Sequence, residues 1–499
     1  MDEATRLRAQ ALEHQAARRF EEAYGLLRRR AMLAPRDPEC WADIARCLAA
    51  AGMAEDALKA WDAALTVAPK AASLLRGKAL TLQGLGRMAE AQDLLRQAPE
   101  SFDAAFDLAR LALEAGQWDE AARLTATMEA AQADRPEVQW LAVRTAIGRG
   151  ALEDAESRAA RLAGDRRLGA EQRADLLLLR AEALDGLGRR REAFEAAAAG
   201  KALQRSHFAV QAQAGEKAVS RLERLADWLA EAPSKDWTAR PVAAAAGEPR
   251  VHAFILGFPR SGTTLLEQAL AGHPDVVALE EPPTLAAPAA EFLGSKGGLE
   301  RLAGLSEHEI GAWRARYFDQ VRALGVDPAG KVLVDKAPAE TASLPVISRL
   351  FPEARVLFAI RDPRDVTLSC FLSSFRMNAL TYAFTDLAET AAAYDATMRL
   401  AEAFRRVSPL QLAEVRHEAL VEDFEEGLGA VAGFLGIELH PAMADVAATA
   451  RARIVRTPSA PQLRAGLTTT RLDRWRGYAD QLAPVLPVLE PWVRRFGYG

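Results

Sequence analysis

Five stretches in the first half of the chain repeat one short pattern, a glycine followed five residues later by an alanine. They read GMAEDA from Gly52, GRMAEA from Gly86, GQWDEA from Gly116, GALEDA from Gly150 and GRRREA from Gly188, so the glycines step by 34, 30, 34 and 38 residues. An earlier stretch, ARRFEEA, falls in the same phase, with Ala23 standing 34 residues before Ala57. Around these anchors residues 1–240 are rich in Ala, Leu, Glu and Arg and hold almost no β-branched runs, a helix-forming composition. A recurring glycine lets the chain turn tightly between paired helices, and the small alanine permits close helix contact. Pro69 and Pro99 stand where helix pairs would end.

A period near 34 residues is that of tetratricopeptide repeats. Five or six such repeats are expected over about 1–205, closed by a helix around 208–231. Trp41, Trp61, Trp118 and Trp140 are expected to pack the repeats. Arrays of this kind usually present a surface to a peptide or protein.

The composition changes at PSKDWTARPVAAAAGEPR, 233–250, whose prolines, alanines and glycine mark a connection. Beyond it short apolar, β-branched runs alternate with helical stretches: VHAFILG at 251–257, DVVALE at 275–280, KVLVD at 331–335, ARVLFAI at 354–360 and LQLAEVR at 410–416. That alternation predicts a parallel sheet covered on both faces. The expected organisation is an all-α repeat solenoid over 1–232, a linker over 233–250 and an α/β domain over 251–499.

The remaining composition sets limits. Half the residues are apolar and 26% are charged, which suits a folded chain. A net charge of −5 gives no general attraction to nucleic acid or an anionic membrane, so an anion site must be a local cluster. No apolar stretch approaches the ~20 residues of a spanning helix. The start, MDEATRLRAQALEHQ, has no apolar core or cleavage signal, so a cytoplasmic location is expected. Cys40, Cys47 and Cys370 lack metal-ligand spacing and read as reduced thiols. The histidines form no cluster with Cys or acidic residues, His273 being expected to order a turn, and no metal site is predicted.

The chemistry gathers behind the first strand. VHAFILG runs into FPRSGTTLLEQALAGHP, a strand, a glycine loop and a helix start, the arrangement that aims backbone N–H groups at a phosphate. The spacing from Gly257 to Gly262 matches a nucleotide-hydrolase loop, but Thr263 stands where that loop has lysine. Arg260 supplies the positive charge instead, and Thr263 and Thr264 can donate hydroxyl hydrogen bonds. Farther on, ARVLFAI leads into RDPRDVTLSCF, where Arg361 and Ser369 stand eight residues apart. An arginine fork and a hydroxyl suit a second phosphate. Arg364 is expected to pair with Asp362 or Asp365.

The loop PRSGTT and the later RDPRDVTLSCF resemble the 5′-phosphosulfate and 3′-phosphate motifs of sulfotransferases that use 3′-phosphoadenosine 5′-phosphosulfate (PAPS) and release 3′,5′-bisphosphate (PAP). With the repeats in front, the chain resembles tetratricopeptide-repeat sulfotransferases, and the run PRSGTTLLEQALAGHPDVVALEEP is similar to tyrosylprotein sulfotransferases. The resemblance implies a P-loop-like sulfotransferase fold and a donor site of Arg260, Ser261, Gly262, Thr263, Thr264, Arg361 and Ser369. It also implies Glu281, the second of a glutamate pair, as general base and Lys336 as catalytic lysine beside Arg260. The segment TPSAPQLRAGLTTTRLDRW resembles a donor-covering stretch, with Ser459, Arg464 and Arg474 as its polar contacts. Arg416-His417-Glu418 departs from the family's Arg-Tyr-Glu, and Ser373 and Ser374 stand where the tyrosylprotein enzymes carry a further arginine. The acceptor is a hydroxyl, a tyrosine of a peptide or protein recruited by the repeats being one candidate and a carbohydrate or a lipid the others. A P-loop kinase, with Asp335 as its magnesium ligand, and a nucleotide-binding scaffold without catalysis are the alternatives.

Overall fold

The computed structural model describes residues 2–17, 19–98, 101–213, 215–231, 237, 247–294, 297–408, 410–453 and 472–499. By compactness the chain forms two units, Met1–Arg149 with Arg322–Val326, and Gly150–Val321 with Asp327–Gly499.

The first unit is built from antiparallel helix pairs, such as Pro38–Ala50 with Ala54–Val67 and Phe102–Glu114 with Trp118–Gln132. The sequence frame explains their geometry. Gly52, Gly86 and Gly116 each hold a left-handed backbone, with φ of 84°, 85° and 71°. Ala57, Ala91 and Ala121, five residues on, are fully buried. Trp61 packs as expected: its ring lies over Gly77, and its indole N–H donates to the Thr81 hydroxyl at 2.9 Å. The Trp118 ring covers Gly148 in the same way.

The second unit begins with the last turns of the same frame. Gly150 and Gly188 are again left-handed, and Ala155 and Ala193 are again fully buried. The closing helix is shorter than expected and is preceded by a long one. Arg190–Gln213 runs unbroken for 24 residues and takes in 208–213, leaving Ala218–Glu231 as the last helix. No proline interrupts its alanine-rich sequence, and the next glycine after Gly200 is Gly215. The change from helical to α/β architecture falls between Glu231 and Val251. The division by compactness falls at Gly150, so the final helices belong to the unit that holds the sheet.

Five strands follow: β1 (Val251–Gly257), β2 (Val276–Glu280), β3 (Val332–Lys336), β4 (Arg355–Ile360) and β5 (Gln411–Arg416). All are parallel, in the order β2-β3-β1-β4-β5. Alternation along β1 divides its side chains between two cores. Ala253 and Ile255 join the apolar cluster beneath the helix Thr263–Ala271, with Leu266, Leu270 and Val431. His252 and Phe254 face the rings of Tyr317 and Phe351 on the other side. Both faces are therefore covered, and the carboxyl ends of the strands share one edge, where ligands bind in sheets of this kind. No described helix is long and apolar enough to cross a membrane.

Candidate active site

The strand order brings the sequence motifs together. From β2 to β4 the carboxyl ends deliver Glu281, Lys336, the loop 257–264 and Arg361 in adjacent positions.

The loop is fixed from both sides. Gly257 has φ 146°, and a side chain there would meet the Ala359 carbonyl of β4 at 2.5 Å. Its N–H donates to the Thr341 hydroxyl at 3.0 Å, and that hydroxyl donates to the Gly257 carbonyl at 2.6 Å. Gly262 has φ 91°, and a Cβ would lie 2.4 Å from Nδ1 of His417, just beyond β5. Bare backbone is thus required at both glycines. Thr263, Thr264 and Ser261 are buried at the start of the helix Thr263–Ala271.

The two motifs expected to hold phosphates meet. Arg260 Nε donates to Ser369 Oγ at 2.9 Å, and Arg361 Nη1 lies 3.4 Å from the Arg260 carbonyl. Arg361 also reaches Asp365 at 3.4 Å. Arg364 takes the structural role expected of it, a bidentate pair with Asp362 at 2.6–3.2 Å. Burial, then the charges of Arg361 and Arg260, push the His417 imidazole down to about 3, so it is neutral at pH 7. Its Nδ1 is buried and makes no hydrogen bond to any described residue.

Across the sheet, Lys336 is fully buried and its ammonium donates to Glu281 Oε1 at 2.7 Å. Glu280 Oε1 lies 3.8 Å from the same nitrogen. Strand alternation predicts that two adjacent glutamates point apart, but β2 ends at Glu280. Glu281 turns off it with φ 51°, its N–H bonded to the Lys336 carbonyl at 2.8 Å, so both carboxylates approach one lysine. Glu281 differs in exposure, its side chain being 48% accessible against 13% for Glu280.

Asp335 is spoken for. Its Oδ2 accepts from Tyr317 at 2.7 Å and from Thr284 at 2.8 Å, and burial pushes its pKa up to about 6. These bonds tie the end of β3 to Thr284 and Tyr317, while Oδ1 is buried without a hydrogen-bond partner among the described residues. Among the described residues no group of three or more His, Cys, Asp or Glu could hold a metal ion. His273 orders its turn, Nδ1 accepting from the Asp275 N–H at 3.0 Å.

Ser459 and Arg464 lie outside the described residues. Arg474 is described, and its guanidinium is ion-paired with Asp185 at 2.6 Å. Sequence reasoning missed Thr341, Asp185 and the roofing role of His417. Only His417 carried a signal, as a departure from the expected aromatic.

A turn of bare backbone, two guanidiniums and several hydroxyls form a donor set that suits two phosphates. Residues 253–441 match the Sulfotransferase family, and residues 82–147 match the Tetratricopeptide repeat. The segment that matches sulfotransferases thus follows the one that matches tetratricopeptide repeats. Particular relatives follow the same line. The chain is 31% identical over 198 residues to protein-tyrosine sulfotransferase 2 of Gallus gallus, covering 37% of this chain and 50% of that one. It is 33% identical over 140 residues to protein-tyrosine sulfotransferase 1 of Homo sapiens, covering 25% and 37%. An uncharacterized protein of Aquifex aeolicus is 28% identical over 251 residues, covering 48% and 32%. The chain thus spans about a third to a half of the length of these relatives.

Proposed function

We propose that this protein is a sulfotransferase that moves a sulfuryl group from PAPS to an acceptor hydroxyl, with a tyrosine of a peptide or protein as the favoured acceptor. The observation that carries the reading is the contact of the two phosphate motifs through Arg260 and Ser369, 109 residues apart in sequence. The names of the relatives support a tyrosine acceptor, and the repeats support recruitment of a protein partner. The donor chemistry is assigned to 251–499.

The residues divide the work. Ser261, Gly262, Thr263 and Thr264 would hold the 5′-phosphate at the helix start, and Arg361 with Ser369 the 3′-phosphate. PAPS supplies an activated sulfuryl group whose transfer requires alignment and stabilisation of developing charge. Arg260 and Lys336 would supply the positive charge that stabilises it. Glu281, exposed where Glu280 is not, accepts the proton of the incoming hydroxyl. Its bond to Lys336 holds base and cation in fixed relation before an acceptor arrives.

The test is ligand binding to the full chain. PAP should raise the melting temperature where ATP and ADP do not, and stabilisation by ATP alone would turn the reading toward a kinase. Arg361→Ala should weaken PAP binding by about 1.5–3 kcal/mol, the scale of a charged hydrogen bond. Adenosine 5′-phosphosulfate, which lacks the 3′-phosphate, should bind the variant as it binds the wild type.

A further inference from the structure

Asp185 stands in the last turn of the helix Ala170–Gly186, three residues before the repeat anchor Gly188. The same place before the other four anchors is held by Ala49, Gln83, Leu113 and Ile147, all uncharged. A carboxylate is also the wrong charge for a helix carboxyl end, where the free carbonyls favour cations. Its surroundings account for it. Asp185 Oδ2 accepts from Arg474 Nη2 at 2.6 Å, Oδ1 accepts from the Tyr478 hydroxyl at 2.6 Å, and Arg190 closes on the same carboxylate.

These bonds pin both ends of the short helical turn Arg474–Tyr478. Between them, the Trp475 N–H donates to Asp365 Oδ1 at 2.8 Å, and the Trp475 ring stacks 3.9 Å from the Arg364 guanidinium. Asp365 faces Arg361 with its other oxygen at 3.4 Å, and Arg361 lies against the Arg260 carbonyl. A continuous path of polar contacts therefore leads from the last repeat to the arginines of the phosphate site. The same repeat meets the far end of the helix Pro363–Leu372, which carries Ser369. Lys201, 2% exposed, donates to the Ser373 carbonyl at 2.7 Å.

We infer that Asp185 is a positioning residue for the donor's 3′-phosphate, acting through the Arg474–Tyr478 turn and Asp365 to set the Arg361 guanidinium. The inference rests on the PAPS reading above. It gives the final repeat a part in nucleotide recognition that is separate from any recruitment of an acceptor.

The experiment compares PAP with 5′-AMP, which lacks the 3′-phosphate, on the full chain by calorimetry. Asp185→Ala should lose about ten-fold or more in affinity for PAP, the effect of one misplaced charged contact, and less than about two-fold for AMP. Asp185→Asn, which keeps an oxygen acceptor, should recover part of the loss. Equal weakening of both ligands, or PAP binding that is unchanged or tighter, would overturn the assignment. If Asp185→Ala does not fold, Tyr478→Phe removes one hydroxyl from the same contact and must show the same bias against PAP. Wild-type protein that ignores PAP would sink the donor reading itself. Wild-type protein that binds PAP beside an indifferent Asp185→Ala would sink only this inference.

Discussion

The repeats and the sheet edge use the same backbone conformation for opposite ends. In the helical half the left-handed positions are the anchor glycines, and around Gly52, Gly86, Gly150 and Gly188 an added Cβ would meet nothing within 4 Å. Those glycines serve only to turn the chain. At the sheet edge the left-handed positions include Arg260 and Glu281, two charged residues with φ of 73° and 51°. A side chain held there costs about 1–2 kcal/mol relative to an ordinary conformation. Where the chain merely turns, it uses the residue that does so without strain. Where it turns beside the phosphate loop and the lysine, it keeps a functional group and bears the strain. The glycines of that loop differ too, since Gly257 and Gly262 are pressed by a carbonyl and an imidazole.

That contrast can be broken at its strongest point first. Glu281→Gln keeps the strained backbone and the shape but removes the carboxylate, so turnover should fall about 10²–10⁴-fold with PAP affinity nearly unchanged. Glu280→Gln is the control. If it is the inactive variant, the less exposed glutamate is the base and the more exposed one merely balances Lys336. Next comes Gly262→Ala, which adds a strained conformation and a collision with His417. Strain and overpacking together should cost about 2 kcal/mol or more of stability and impair PAP binding. The smallest effect belongs to Gly86→Ala, which meets no neighbour. Denaturant unfolding should show a loss of about 1 kcal/mol from the left-handed backbone alone, with PAP binding intact. Similar losses at Gly86 and Gly262 would mean that the two turns are equivalent and that His417 yields freely.

The contrast also separates what could be read in the sequence from what could not. The repeat frame carries its own geometry, because a glycine and a small residue at fixed spacing follow from local helix packing. The five strands were legible for the same reason, their apolar runs marking each one to within a residue or so at its ends. The loop and the Arg361–Ser369 pair were legible as motifs, and the structure brings them together through the Arg260–Ser369 contact. Glu281 was legible as a residue but not as a geometry. The end of β2 depends on pairing with β3, and only that pairing reveals that the chain turns at Glu281 toward Lys336. Asp185 looked like no more than a local pair for Arg190, because Arg474 and Tyr478 lie 289 and 293 residues away and no local pattern records contacts at that range. Arg474 was singled out for a phosphate but engages this aspartate.

The unit that begins at Gly150 bears on how such a protein could change length over evolutionary time. Arrays of near-identical repeats lend themselves to growth and shrinkage by duplication or loss of whole units, because each depends mainly on its neighbours. The repeat that carries Asp185 and Lys201 is not interchangeable in this sense, for a copy of any other repeat would bring an uncharged residue to the place of Asp185. Its exchange would also remove the partner of Arg474 and Tyr478 and so alter the turn that meets Asp365.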